Sequence, residues 1–133
     1  ISTRGVVGTG ENVMIGGFIL GGGGGGFAQI IVRGIGPSLA GFGLTNVLAD
    51  PSLDIVDENG DLVASNDNWM DNPNMQTVED HGLAPSDPNE SAIYEVLPVG
   101  AYTAILRGVG ETTGIGLVES YGIDNAATGA PGQ

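Results

Sequence analysis

Apolar and polar residues alternate through Leu53-Asp54-Ile55-Val56-Asp57, and a second apolar run, Leu62-Val63-Ala64, follows across Asn59-Gly60. A period of two puts one set of side chains on a buried face and the other in water, as in a half-buried strand. Asn-Gly between two such runs predicts a hairpin closed by a two-residue turn. Further strands are expected over residues 92–97, 102–107 and 114–121, with Leu97-Pro98-Val99-Gly100-Ala101-Tyr102 as a corner. Upstream, residues 1–7 read as a strand, and residues 13–20 form an apolar run that predicts a strand buried on both faces. Residues 27–34 form another strand, on which Gln29 and Arg33 share a face. Residues 21–26 are all glycine and read as a flexible hairpin loop. The stretch 65–89 is polar and dotted with proline, with one short helical turn expected near residues 75–80. Irregular segments of that length are often functional. The pattern predicts an all-β fold, an antiparallel β-sandwich (jelly-roll-like) of about eight to ten strands. The sandwich is expected over residues 1–121, with 122–133 a linker or C-terminal tail.

Composition narrows the chemistry. A chain of 133 residues is one domain by size and can hold a core without staples. Hydrophobic residues are 41% and aromatics only 5%, so the core must be mostly aliphatic. There is no cysteine, which removes thiolate metal sites and a cysteine nucleophile. There is no lysine either, and Arg4, Arg33 and Arg107 stand against 16 acids for a formal charge of −13. Such a balance argues against nucleic acid and against anionic membrane surfaces, because both need basic side chains. It favours solubility and hard cations such as calcium. The longest apolar run, residues 13–20, is far short of the ~20 residues a spanning helix needs, so no membrane insertion is expected. The opening at Ile1 rather than methionine suggests a mature product, a fragment, or one unit of a longer chain.

Two internal echoes stand out. Ile31-Val32-Arg33-Gly34-Ile35-Gly36 matches Ile105-Leu106-Arg107-Gly108-Val109-Gly110, and Gly8-Thr9-Gly10-Glu11 matches Gly108-Val109-Gly110-Glu111. The matches fall in different chain order, so they are no simple duplication. Repeated strand-end chemistry accounts for them, with each arginine expected to pair with a carboxylate.

Longer motifs carry a resemblance. These are Leu53-Asp54-Ile55, Asn59-Gly60, Leu62-Val63-Ala64-Ser65-Asn66-Asp67, Ser91-Ala92-Ile93, and Leu97-Pro98 with Gly100, Tyr102 and Thr103. Through them, residues 50–121 resemble the bacterial pre-peptidase C-terminal domain and similar small extracellular β-sandwiches. The opening Ile1-Ser2-Thr3-Arg4-Gly5, the run from Gly8 to Phe18 and Arg33-Gly34-Ile35-Gly36-Pro37-Ser38-Leu39 are similar to an uncharacterised repeat of large bacterial surface proteins. The six-glycine loop departs from the usual hairpin there. The resemblance implies an exported, often tandem, accessory or structural module.

Candidate chemistry centres on the polar loop. Asn66-Asp67-Asn68-Trp69-Met70-Asp71-Asn72 concentrates oxygen ligands, and Asp87 and Glu90 lie across the same connection. Calcium takes six to eight such oxygens, so Asp67, Asp71, Asp87 and Glu90 form a candidate Ca2+ set. The plainer reading is that Asn and Asp make side-chain turns in any surface loop. Trp69 either plugs the end of the sandwich, its N–H on a carbonyl, or stacks on a glycan. His81 is the one histidine, and Ser38 sits in an imperfect nucleophile-elbow pattern without a following helix, so triad catalysis is not expected. Asn89-Glu90-Ser91 is a glycosylation sequon that marks Asn89 as a surface position.

The expected function is a non-catalytic structural repeat or subunit of an extracellular filament or surface protein. Copies of the chain would join by tandem linkage or by strand exchange through residues 1–7, with Ile1, Thr3, Val6 and Val7 in the assembly strand. The alternative is an accessory module that binds carbohydrate or a protein partner through Trp69 and the 65–89 loop.

Overall fold

A computed structural model describes residues 2–21 and 26–123. The Ile1 end of the assembly strand, most of the glycine run and the tail beyond residue 123 lie outside the described residues. The eight strands are β1 (Ser2–Val7), β2 (Met14–Leu20), β3 (Phe27–Ile35), β4 (Pro51–Asp57), β5 (Leu62–Asn66), β6 (Ser91–Pro98), β7 (Gly100–Gly108) and β8 (Gly114–Ile123). One short helix, α1 (Met75–Asp80), interrupts the long connection between β5 and β6. The strands form two antiparallel four-stranded sheets, in the orders β1-β8-β3-β6 and β2-β7-β4-β5. We refer to them as the first and second sheet. This is the double-sheet jelly roll. β8 runs two residues past its expected end, with Gly122 and Ile123 opposite Ile30 and Gln29.

The main core lies between the sheets. Leu53, Ile55, Leu106, Val32 and Val118 are buried there, alternating along their strands with residues of the outer faces. Phe18 lies opposite Tyr102, and their rings stack with centroids 5.8 Å apart. The Tyr102 hydroxyl donates to Pro98 O at 2.5 Å, which satisfies its polar end. The segment entering β4 is threaded tightly: Leu48 N–H donates to Ile115 O at 2.8 Å. A methyl group on Gly36 would stand 2.1 Å from Leu48 O, so no larger residue fits at that crossing.

The outer faces differ. The first sheet is covered by the 66–90 connection, which builds a second small core from Trp69, Val78 and Ala92, with Met75, Leu83 and Tyr94 packed against it. Ile31, on the outer face of β3, is fully buried as a result. Nothing among the described residues covers the second sheet. β2 was expected to be buried on both faces, yet it alternates: Ile15 is 59% exposed and Ile19 81%. β2 is an edge strand, so its apolar run reflects an uncovered face rather than a central position.

The hairpin between β4 and β5 also differs in detail from its expected form. Gly60 N–H donates to Asp57 O, Asp57 N–H donates to Asp61 O, and Gly60 alone has a left-handed φ of 83°. This is a three-residue loop, a turn followed by a glycine bulge, instead of a two-residue turn with both residues left-handed. The Asp57 carboxylate selects it by accepting from Asn59 N–H at 2.9 Å and Asp61 N–H at 3.0 Å.

The echoes have a geometric cause. β1 crosses to β2 through a 3-10 turn at Gly10–Asn12, and β7 crosses back to β8 through one at Val109–Glu111. β1 pairs with β8 and β2 with β7, so the two crossings run side by side. A cavity of about 150 Å³ separates them, lined by Gly8, Thr9, Arg107, Gly108 and Thr112 among others. Each turn uses a left-handed glycine, Gly10 at φ 60° and Gly110 at φ 66°.

Candidate functional site

The 66–90 connection is held to the sandwich by its own polar side chains. Ala92 N–H donates to Asn66 Oδ1 at 3.0 Å, and Asn72 Nδ2 donates to Ala92 O at 2.7 Å. Asn74 Nδ2 reaches Tyr94 O at 3.3 Å, and Trp69 N–H reaches Glu90 O at 2.9 Å. Glu90 immediately precedes β6, and residues 92 and 94 are alternate positions along it, the outer strand of its sheet. Their outward backbone groups would otherwise offer a template for another strand. The asparagines therefore stand in for a missing strand along this edge. Glu95 lies opposite Ile30 and alternates with the core residues Ile93 and Leu97. Burial raises its pKa. An acid turned inward on an edge strand further discourages pairing by an incoming strand.

The opposite flank is open. β1 and β2 are edge strands, and no described strand pairs outside them. On β1, Val7 is buried in the core, while Thr3 is exposed and Val6 is 75% exposed. Within the chain β1 pairs antiparallel with β8 along its whole length. Arg4 is exposed on this strand. It is the one cation outside an ion pair among the described residues: Arg33 pairs with Glu119 at 2.5 Å, and Arg107 pairs with Asp54. Each echoed arginine therefore pairs with a carboxylate, Glu119 within β8 and Asp54 within β4.

The structure does not bring the four expected calcium ligands together. Glu90 is fully buried, and its oxygens accept from Gly36 N–H (3.0 Å), Ser38 N–H (2.8 Å), Ser38 Oγ–H (2.6 Å) and Asp87 N–H (3.2 Å). Asp87 Oδ1 accepts from Asn89 N–H at 2.9 Å within its own turn, and Asp71 is exposed. The acid that acts most on Asp67 is instead Asp50, which the sequence reading did not single out. Among the described residues no three metal-ligating side chains gather into a site. Both Asp50 and Asp67 keep one buried carboxylate oxygen without a donor. Asp67 is pushed above the usual carboxylate range by burial first, then by Asp50 and Asp71.

Trp69 is only 7% exposed and belongs to the second core. It is buried as the plug reading expects, but on the outer face of the first sheet rather than at the end of the sandwich. The expected carbonyl partner is absent: Trp69 Nε1 is buried without an acceptor. The Ser38 hydroxyl is spent on Glu90, and the exposed His81 faces Thr77 O through Nδ1 at 2.8 Å. Asn89 is exposed in a turn, as its sequon requires. No helix among the described residues is long and apolar enough to cross a membrane. No protein-family model and no curated protein matches the sequence.

Proposed function

We propose that this chain is a non-catalytic structural unit of an extracellular filament or surface protein, joined to further copies along the β1 flank. The observation that carries the reading is the contrast between the two flanks. Asparagine side chains cover β6 at Ala92 and Tyr94, while no described residue pairs with the outer edges of β1 and β2, which carry exposed Val6, Ile15 and Ile19. Native proteins usually blunt a bare, apolar edge, and one left open serves strand addition. Arg4 adds a free positive charge beside that edge in a chain of net charge −13, which suits an acidic partner such as another copy.

Electron microscopy and sedimentation of the native material test the reading. Val6→Asp should abolish assembly while leaving the fold intact, because Val6 contributes little to the core. Unchanged assemblies from the variant, or native protein that stays monomeric at every concentration, would refute the assignment of this flank.

A further inference from the structure

β1 and β2 are edge strands of different sheets, and they meet on one flank of the sandwich. A methyl group on Gly16 would stand 3.9 Å from Thr3 Oγ1, and one on Gly5 would stand 3.5 Å from Met14 Cε. Rising numbers on β1 therefore meet falling numbers on β2. The two edges run antiparallel to each other, with Thr3 level with Gly16.

The flank also differs from the rest of the molecule in charge. Ser2–Val7 and Met14–Leu20 contain no acidic residue, in a chain with 16. The other two sheet edges carry carboxylates: Glu95 lies within β6, and Asp61 and Asp67 bracket β5. Copies that each carry a formal charge of −13 repel one another over most of their surface. Repulsion is least at the β1–β2 flank, and its one charge, Arg4, has the opposite sign. A basic partner would be drawn to the acidic surface elsewhere, whereas a second copy is best admitted here.

We propose, building on the flank assembly argued above, that a second copy docks here through a two-fold axis parallel to the strands, with β1 of each copy paired to β2 of the other. A half-turn about that axis sets each β1 opposite the other copy's β2. Because the two strands run in opposite directions, both new pairs are antiparallel, and the outward backbone groups of both edges find partners. A closed two-fold allows no sliding along the strands, so level residues pair. Thr3 comes opposite Gly16 on the inner side, and Ser2 opposite Gly17 and Arg4 opposite Ile15 on the outer side. A two-fold axis across the strands would instead set β1 against β1 and bring both Arg4 side chains to one junction, where like charges repel. In the proposed pair the two arginines lie on opposite faces. The flank is only about 20 Å long at ~3.3 Å per residue, so single copies pair weakly and units already joined in tandem pair more firmly.

Covalent trapping of the full chain tests the pairing. The chain has no cysteine, so introduced ones report cleanly. Ser2 and Gly17 are exposed, and a methyl group on Gly17 would meet only Tyr102 O at 3.9 Å, so Ser2→Cys and Gly17→Cys keep the fold. Within one copy the two positions face away from each other on different sheets. In the pair they are cross-strand neighbours, close enough for a disulfide. Mixed under mild oxidation, the two variants should give the mixed disulfide dimer as the main crosslinked product. Either variant alone should give little, and Val6→Asp added to both should abolish the mixed product. A dominant Ser2→Cys dimer with itself would overturn this symmetry and leave assembly along the flank standing. So would native protein that associates while the mixture yields no crosslink. A mixed product that survives Val6→Asp would come from collision and would overturn the pairing too. No crosslink in any combination, with native protein monomeric at every concentration, would overturn the pairing and the flank assembly together.

Discussion

At the scale of single residues, a buried carboxylate can organise a fold without a cation beside it. Glu90 does so by collecting four donors from two segments more than fifty positions apart in sequence or adjacent in its own turn. Those donors head the 3-10 turn Pro37–Phe42 and the loop before β6. Removing the acceptor strands all of them, and each buried donor left unpaired costs about 1–3 kcal/mol. Glu90→Ala should therefore lose roughly 3 kcal/mol or more in urea unfolding, with Glu90→Gln intermediate because the amide keeps one accepting oxygen. A variant within 1 kcal/mol of the native protein would show that water replaces the carboxylate easily. Glu90 carries no local signal for its role. It looks like an ordinary turn acid in the sequence, and only the tertiary path of the chain decides which donors it meets.

At the scale of elements, strand existence was legible and strand environment was less so. The alternation at 53–57 marks β4 because that strand has one core face. The run at 13–20 looked doubly buried because apolar residues occupy both sides of β2, yet an edge strand on a bare face has the same pattern. The Asn-Gly pair located the hairpin correctly. Its loop length was set by Asp57, whose side chain caps two backbone donors and selects the glycine bulge. The asparagines at 66, 72 and 74 read as generic loop residues, since their spacing matches β6 only once the loop has folded back. Their contribution can be measured locally. In Asn66→Ala the Ala92 amide loses its acceptor, and its hydrogen exchange should accelerate by about tenfold, the equivalent of ~1.4 kcal/mol. Exchange at Ile93 and Val32, deep between the sheets, should barely change. Equal acceleration across all three amides would mean that Asn66 supports the whole sandwich rather than one edge.

At the scale of the whole molecule, the jelly roll follows from strands that repeatedly cross between two sheets. Composition and periodicity gave the all-β class, while the order of strands in each sheet depends on long-range pairings that no local pattern encodes. The echo between Gly8-Thr9-Gly10-Glu11 and Gly108-Val109-Gly110-Glu111 was a visible trace of that topology, because the two adjacent crossings use the same kind of turn. The arginines have a consequence for durability. Trypsin cuts after lysine or arginine and needs several residues of extended, unpaired chain. This sequence offers it three positions. Arg33 is in a strand flanked on both sides and pinned to Glu119, and Arg107 is likewise in an internal strand and bound to Asp54. Arg4 is exposed near the start of an edge strand paired on one side only, so the least unzipping brings it within reach. Limited digestion of the folded protein should trim the chain after Arg4 and leave the rest as one resistant fragment by mass spectrometry. Early cutting at Arg33 or Arg107 would mean that the sheets open far more readily than their pairing implies. A protein built this way carries its resistance to digestion in its composition as much as in its stability.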